Sequence, residues 1–190
     1  MARCLVALVV FGKDSTRRLG RALRKLKIDY GVVLFDETPV FKPTHIILSG
    51  GPKHVYEDDY YPMPKWVLNS NVPVLGVCYG MQLIAKTFGG NVRKMEAQEK
   101  GPVEVTEIID GNQITSTRWM NRMDQVTLLP SRFTVTGVTS RNHIAAFTDW
   151  NRWWAVQYHP ESLKHGDLSV IRRFLNINTD PSFKTRQCRQ

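Results

Sequence analysis

Pro73-Val74-Leu75-Gly76-Val77-Cys78-Tyr79-Gly80-Met81-Gln82-Leu83-Ile84-Ala85 is the stretch on which the architecture of this chain turns. Val72 to Val77 reads as a strand, and its unbroken apolar run suits a strand buried on both faces of a parallel sheet. The strand stops at Cys78, and Met81 to Phe88 reads as a helix closed by Gly89-Gly90. Upstream, Leu5 to Phe11 is another continuous apolar run, expected as a buried first strand rather than a secretory leader. Ser15 is placed to cap the next helix, whose Leu19, Ala22, Leu23 and Leu26 share one face. Strands follow at about Val32 to Phe35 and His45 to Leu48, the latter ending in Ser49-Gly50-Gly51-Pro52, and a short helix at Lys65 to Asn69. Alternating strands and helices imply right-handed crossovers and an α/β fold with a mostly parallel, doubly wound central sheet flanked by helices.

The second half changes character. Val103 to Ile109, Gln113 to Trp119, Phe133 to Thr139, Ile144 to Phe147 and Trp153 to Tyr158 read as strands, with Asp110-Gly111-Asn112 as a turn. They are expected to form an antiparallel layer beside the parallel sheet or extending it. A last helix near Leu168 to Leu175 starts from Asp167 as its cap. Residues 1–176 are therefore read as one domain, and 177–190 as a basic, flexible tail.

Length and composition fit this reading. The 190 residues suffice for one substantial core, and 42% apolar with 23% charged residues is ordinary for a globular protein. No run approaches the roughly 20 apolar residues of a membrane span, so no membrane partner is expected. Cys4, Cys78 and Cys188 are sparse and far apart, which fits neither a disulfide framework nor a zinc site and suggests a reducing, cytoplasmic setting. The net charge of +9 is the unusual property; basic residues gather at Arg17, Arg18, Arg21, Arg24, Lys25 and Lys27, and at Lys184, Arg186 and Arg189. With no nucleic-acid-binding motif alongside, they are read as a solvated helix face and tail rather than a nucleic-acid site.

Gly76-Val77-Cys78-Tyr79-Gly80 places a thiol between two glycines where strand becomes helix, the geometry of a nucleophile elbow. A helix N-terminus favours a thiolate. A thiolate nucleophile needs a general base with its own orienting partner. Of five histidines, His159 follows an apolar strand and precedes Pro160 and Glu161, so it is expected at the sheet edge where ligands bind, with Glu161 fixing its tautomer. Ser49-Gly50-Gly51-Pro52 can turn backbone N–H groups towards an oxyanion and is too short for a phosphate loop. Trp150, Trp153 and Trp154 are read as packing residues, Asp58 to Tyr61 as a loop, and no cluster has metal-ligand spacing, so no metal is expected.

These motifs together with Phe88-Gly89-Gly90-Asn91-Val92 and Ala155-Val156-Gln157-Tyr158-His159-Pro160-Glu161-Ser162 resemble the class I glutamine amidotransferases, in order and across about residues 5–176, with spelling nearest the glutaminase part of GMP synthases. The resemblance implies a flavodoxin-like fold and a triad of Cys78 as nucleophile, His159 as general base and acid, and Glu161 as orienter. It implies an oxyanion hole from the backbone N–H groups of Gly51 and Tyr79. Glutamine binding falls by the same resemblance to Gly50, Gly51, Gln82 and the segment carrying Asn121, Met123 and Asp124. It further implies L-glutamine as substrate, no cofactor for its hydrolysis, and a separate ATP-dependent synthetase, using ATP and Mg on its own chain, that aminates xanthosine monophosphate. An anthranilate- or aminodeoxychorismate-type amidotransferase and a non-catalytic protein of the same fold are the competing readings. One departure is plain: Trp119-Met120-Asn121-Arg122-Met123-Asp124-Gln125-Val126 carries Arg122-Met123 where the family has His-Gly. The loss of glycine is expected to restrict the backbone at Met123, and the lost histidine to bear on contact with the synthetase.

Overall fold

The computed structural model describes residues 4–176; the basic tail at 177–190 lies outside the described residues. Along β1 (Leu5–Val10), Ala7 and Val9 enter one apolar cluster and Val6 and Leu8 the other. Because side chains alternate along a strand, an unbroken apolar run requires cover on both sides. Helices α1 (Lys13–Lys25) and α4 (Leu168–Asn176) supply Leu19, Leu23, Ile171 and Phe174 on one face. Helix α3 (Tyr79–Thr87) supplies Met81, Leu83 and Ile84 on the other. The remaining elements are β2 (Asp29–Leu34), β3 (His45–Leu48), α2 (Lys65–Asn69), β4 (Val74–Val77), β5 (Asn91–Ile109), β6 (Asn112–Leu128), β7 (Thr134–Thr139), β8 (Ile144–Thr148) and β9 (Trp153–Val156).

The strands form one nine-stranded sheet in the order β2-β1-β3-β4-β9-β8-β7-β5-β6. Neighbours from β2 through β9 are parallel; those from β9 through β6 are antiparallel. The expected doubly wound α/β arrangement is present, and the second-half strands extend the sheet rather than stacking on it. Strand β9 is the hinge of the plan. Arriving from the antiparallel half, it lies parallel to β4 with Val156 opposite Val77, so the chain leaving β9 emerges beside the chain leaving β4.

Several local expectations hold. Gly89 takes φ +90, and Gly90 N–H and Gly89 N–H reach back to the Ala85 and Lys86 carbonyls, which is the glycine-closed helix end. Asp110 and Gly111 both have positive φ, as a two-residue hairpin turn demands. Asp167 caps α4 through Oδ1, which accepts the Ser169 N–H at 2.9 Å. Trp153 is core, whereas Trp150 is 42% exposed in the β8–β9 turn.

Others are corrected. Gly12 occupies the N-cap of α1 and Ser15 lies inside the helix, buried against the sheet, because Thr16 already satisfies the Gly12 carbonyl with its N–H and its hydroxyl. Strands β5 and β6 are far longer than the segments expected. Their extra length carries exposed Arg93, Lys94 and Glu96 on β5 and exposed Asn121, Thr127 and Leu128 on β6, so it lacks a continuous apolar signal.

A buried polar network ties this long hairpin to the end of β9. Arg118 donates through Nε and Nη2 to Glu107 Oε2 at 3.1 and 2.9 Å, and through Nη1 to Asp167 at 2.5 Å; the Tyr158 hydroxyl donates to Glu107 Oε1 at 2.6 Å. Removing one partner strands the other charge in the interior. Arg118→Met is therefore expected to cost about 3–5 kcal/mol of stability in urea denaturation, with much of that loss recovered in Arg118→Met/Glu107→Gln. A single substitution costing under about 1 kcal/mol contradicts this account of the network.

Candidate active site

Steric necessity shapes the turn after β4. A Cβ on Gly76 would stand 2.6 Å from the Gly80 carbonyl atoms, and one on Gly80 would stand 2.5 Å from the Leu48 oxygen. With both positions empty the chain reverses sharply, and Cys78 sits at φ 53, ψ −104, a region that costs a non-glycine residue of order 1–3 kcal/mol. The Cys78 N–H is held by the Val156 carbonyl of β9 at 2.8 Å. Its side chain is 7% exposed and stands at the N-cap of α3. Tyr79 opens that helix, and a first-turn N–H has no acceptor within its own helix.

Beyond β9, His159 is delivered to the same edge. Its N–H donates to the Trp119 carbonyl of β6 at 2.9 Å, and its Nδ1 lies 2.8 Å from Glu161 Oε1. Both side chains are buried. Burial by itself lowers the imidazole pKa; the charge and hydrogen bonding of Cys78, then those of Glu161, outweigh it and push the value up to about 10. The second ring nitrogen, Nε2, is sealed from solvent without an aligned hydrogen bond. His159 and Cys78 therefore face each other closely enough for charge to act but loosely in geometry, a common condition of unliganded sites.

The glycine loop after β3 closes the other side. A Cβ on Gly50 would meet Ser15 Oγ at 3.0 Å and His159 Cε1 at 3.3 Å, so the loop lies directly against the imidazole. Ser15 accepts the Gly50 N–H at 3.0 Å and donates to Glu161 Oε1 at 3.2 Å. Gly51 follows, packed on Phe11. Ser15 thus links the loop to the His159–Glu161 pair, a role hidden in the sequence because a serine near a helix start also reads as a cap. Gln157 is a second site residue with no distinguishing sequence signal: its Oε1 accepts from Gln82 Nε2 at 3.3 Å, two residues before His159.

The β6 segment reaches the site as strand. The Asn121 carbonyl accepts a long contact from Cys78 Sγ at 3.7 Å. Asp124 is buried, and both its oxygens are engaged, by His54 Nδ1 at 2.7 Å and the Tyr56 hydroxyl at 2.9 Å. It therefore clamps the loop that follows the glycines. Met123 shows no positive φ, so the strand passes this position in a conformation open to any residue. The irregularity is taken up across the hairpin, where the register passes from Lys94↔Asp124 to Glu99↔Arg122. Arg122 turns inward, its side chain fully buried on Glu99 at 2.7 Å and on His143 at 3.1 Å. That orientation keeps the Arg122 side chain off the outer surface of the chain.

A cleft of about 300 Å³ opens over this edge, with His159, Asn121 and Trp119 in its wall and Arg18, Lys100 and Lys164 around it. Cys78, Gln82, Gly50, Gly51, Met123 and Asp124 are not among the residues that line it. Among the described residues no group of three or more His, Cys, Asp or Glu is placed to hold a metal ion, and no helix is long and apolar enough to cross a membrane.

The folded His159 keeps its proton up to about pH 10, against about 6.5 for an unfolded histidine. A raised folded value means the native state holds the extra proton, so this contribution is complete below about pH 6.5 and lost as pH rises through 10. Urea denaturation should show the stability advantage of the unaltered chain over His159→Gln to be greatest near pH 6 and much reduced near pH 10. A gap that widens with pH contradicts the assignment.

Comparison with known proteins identifies the family. The family model "Glutamine amidotransferase class-I" matches residues 7–177. The glutamine-hydrolysing GMP synthase of Thermotoga petrophila is 36% identical over 180 residues, covering 91% of this chain and 36% of the relative. That of Nitratidesulfovibrio vulgaris is 37% identical over 187 residues, covering 92% of this chain and 36% of the relative. The chain thus spans little more than a third of the length of these curated relatives. Among solved structures, a protein from Thermoplasma acidophilum assigned to GMP synthase superposes with a TM-score of 0.82 at 27% identity, covering 98% of each chain. Match length, identity and fold agree, and the chain belongs to the class I glutamine amidotransferase family.

Proposed function

We propose that this chain hydrolyses L-glutamine to glutamate and ammonia through a thioester on Cys78, and that the ammonia passes to an ATP-dependent synthetase that aminates xanthosine monophosphate. The observation that carries the reading is the strained Cys78 turn, hydrogen-bonded to β9, with the His159–Glu161 pair delivered beside it.

In the proposed cycle the Cys78 thiolate attacks the side-chain carbonyl carbon of glutamine, and the carbonyl electron pair moves to oxygen. The N–H groups of Gly51 and Tyr79 stabilise that oxyanion. Collapse of the intermediate breaks the C–N bond while His159 gives its proton to the leaving nitrogen, releasing ammonia. His159 then takes a proton from water, the resulting hydroxide attacks the thioester carbon, and glutamate leaves with the thiolate restored. Glu161 holds the imidazole in its working tautomer, and Ser15 holds Glu161. Asn121, Gln82, Met123 and Asp124 are proposed to position the amino-acid end of the substrate. The Asp124 oxygens already meet His54 and Tyr56, and a carboxylate keeps lone pairs for a further donor. No metal or organic cofactor enters this half-reaction; ATP and Mg belong to the synthetase.

The relatives named above are GMP synthases, which favours xanthosine monophosphate as acceptor over a chorismate-derived one. No observation favours a non-catalytic role. Glutaminase assays decide the matter: Cys78→Ala is expected to lose at least about 10³-fold in kcat, and addition of the GMP synthase synthetase component from the same organism is expected to raise the rate of the unaltered chain. Glutamine hydrolysis that persists in Cys78→Ala overturns the reading.

A further inference from the structure

Three cations line the cleft together with His159: Arg18 from the first turns of α1, Lys100 from β5 and Lys164 from the loop after Glu161. They come from three segments distant in sequence, yet they converge on one opening. Among the described residues none of the three has an ion-pair partner or a side-chain hydrogen bond, a state shared with Arg93, Lys94 and Arg141; what sets the three apart is that they line one cleft. Leu163 stands at the same rim with 73% of its surface exposed.

We infer that this rim is the docking surface for the synthetase, and that the synthetase meets it with carboxylates paired to Arg18, Lys100 and Lys164 and with an apolar contact over Leu163. The inference rests on the proposed glutaminase reading, because His159, which lines the cleft, gives its proton to the leaving ammonia, and that ammonia stays unhydrated only if the partner covers the opening. Unpaired cations covered by a neutral surface would be desolvated without compensation, so a partner that seals the cleft must answer them with negative charge. A small anion is the other chemistry that three cations invite. Here the lysines are exposed rather than set in a buried cradle, and the rim carries a protruding leucine that a phosphate cannot bury. Both features suit a protein surface, with apolar contact inside a charged surround.

The dissociation constant of the full chain for the GMP synthase synthetase component of the same organism, measured by calorimetry at about 50, 150 and 500 mM salt, tests this. Arg18→Glu/Lys100→Glu/Lys164→Glu is compared with Arg93→Glu/Lys94→Glu/Arg141→Glu, which makes the same charge change at exposed positions elsewhere. Reversal at the rim is expected to weaken binding at least about 30-fold at low salt, and the control less than about threefold. Binding by the unaltered chain is expected to weaken as salt rises. Equal effects of the two triple variants, binding indifferent to salt, or no binding by the unaltered chain each overturns the proposal. So does inorganic phosphate bound at sub-millimolar concentration and lost in the rim variant, which would reassign the cleft to an anion. Binding is read without turnover and Cys78→Ala is expected to dock normally, so failure of the docking surface and failure of the glutaminase reading are told apart.

Discussion

The structure hangs on the close backbone approach between Gly76 and Gly80, which brings the end of β4 and the start of α3 within a distance that no Cβ permits. That approach forces Cys78 into a positive-φ conformation and turns its side chain out at the edge of the sheet. The conformation is costly, and it persists because the Cys78 N–H is held by β9 and because α3 is packed into the core along most of its length. The placement of β9 follows from the same constraint. Parallel pairing of β9 with β4 puts the chain leaving each strand at one edge, so Cys78 and His159 meet although 81 positions separate them.

Around that edge, segments distant in sequence are bound to one another by polar contacts made in the interior. Ser15 of α1 links the glycine loop to Glu161; the Trp119 carbonyl of β6 holds the His159 backbone; the Arg118–Glu107–Tyr158 network fixes the residues on either side of these. Buried polar groups of this kind act as units, since each is satisfied only while the others stay in place. The hairpin of β5 and β6 is held at its near end in this way, and Arg122 with Glu99 and His143 adds a second interior tie. At the position where the family has His-Gly, Arg122 thus serves to anchor the hairpin from within.

How much of this the sequence discloses follows the kind of signal each part leaves. The parallel half is legible because continuous apolar runs flanked by helical periodicity have few other readings; His45–Leu48 and Lys65–Asn69 fall where expected to the residue. The elbow is legible because two glycines around a cysteine at a strand's end mark a steric requirement. The extent of β5 and β6 is not, since exposed polar residues interrupt their outer halves and leave no run of apolar residues. Ser15 misleads because capping and burial use the same side chain, and only the fold tells which carbonyl or N–H it meets. The inward orientation of Arg122 is equally hidden: an arginine in isolation reads as surface, and its partners Glu99 and His143 lie on other strands and turns.

The central claim, that the Cys78 turn holds the reactive group of this protein, is tested most directly by labelling. A diazoketone analogue of glutamine, which alkylates a thiolate held in a glutamine site, is incubated with the chain near neutral pH and the modified cysteine is located by peptide mass spectrometry. The account predicts one label per chain, on Cys78, suppressed by excess glutamine and abolished in His159→Ala. Labelling spread over Cys4 and Cys188, or a Cys78 that reacts no faster than a free thiol and is indifferent to glutamine, contradicts it.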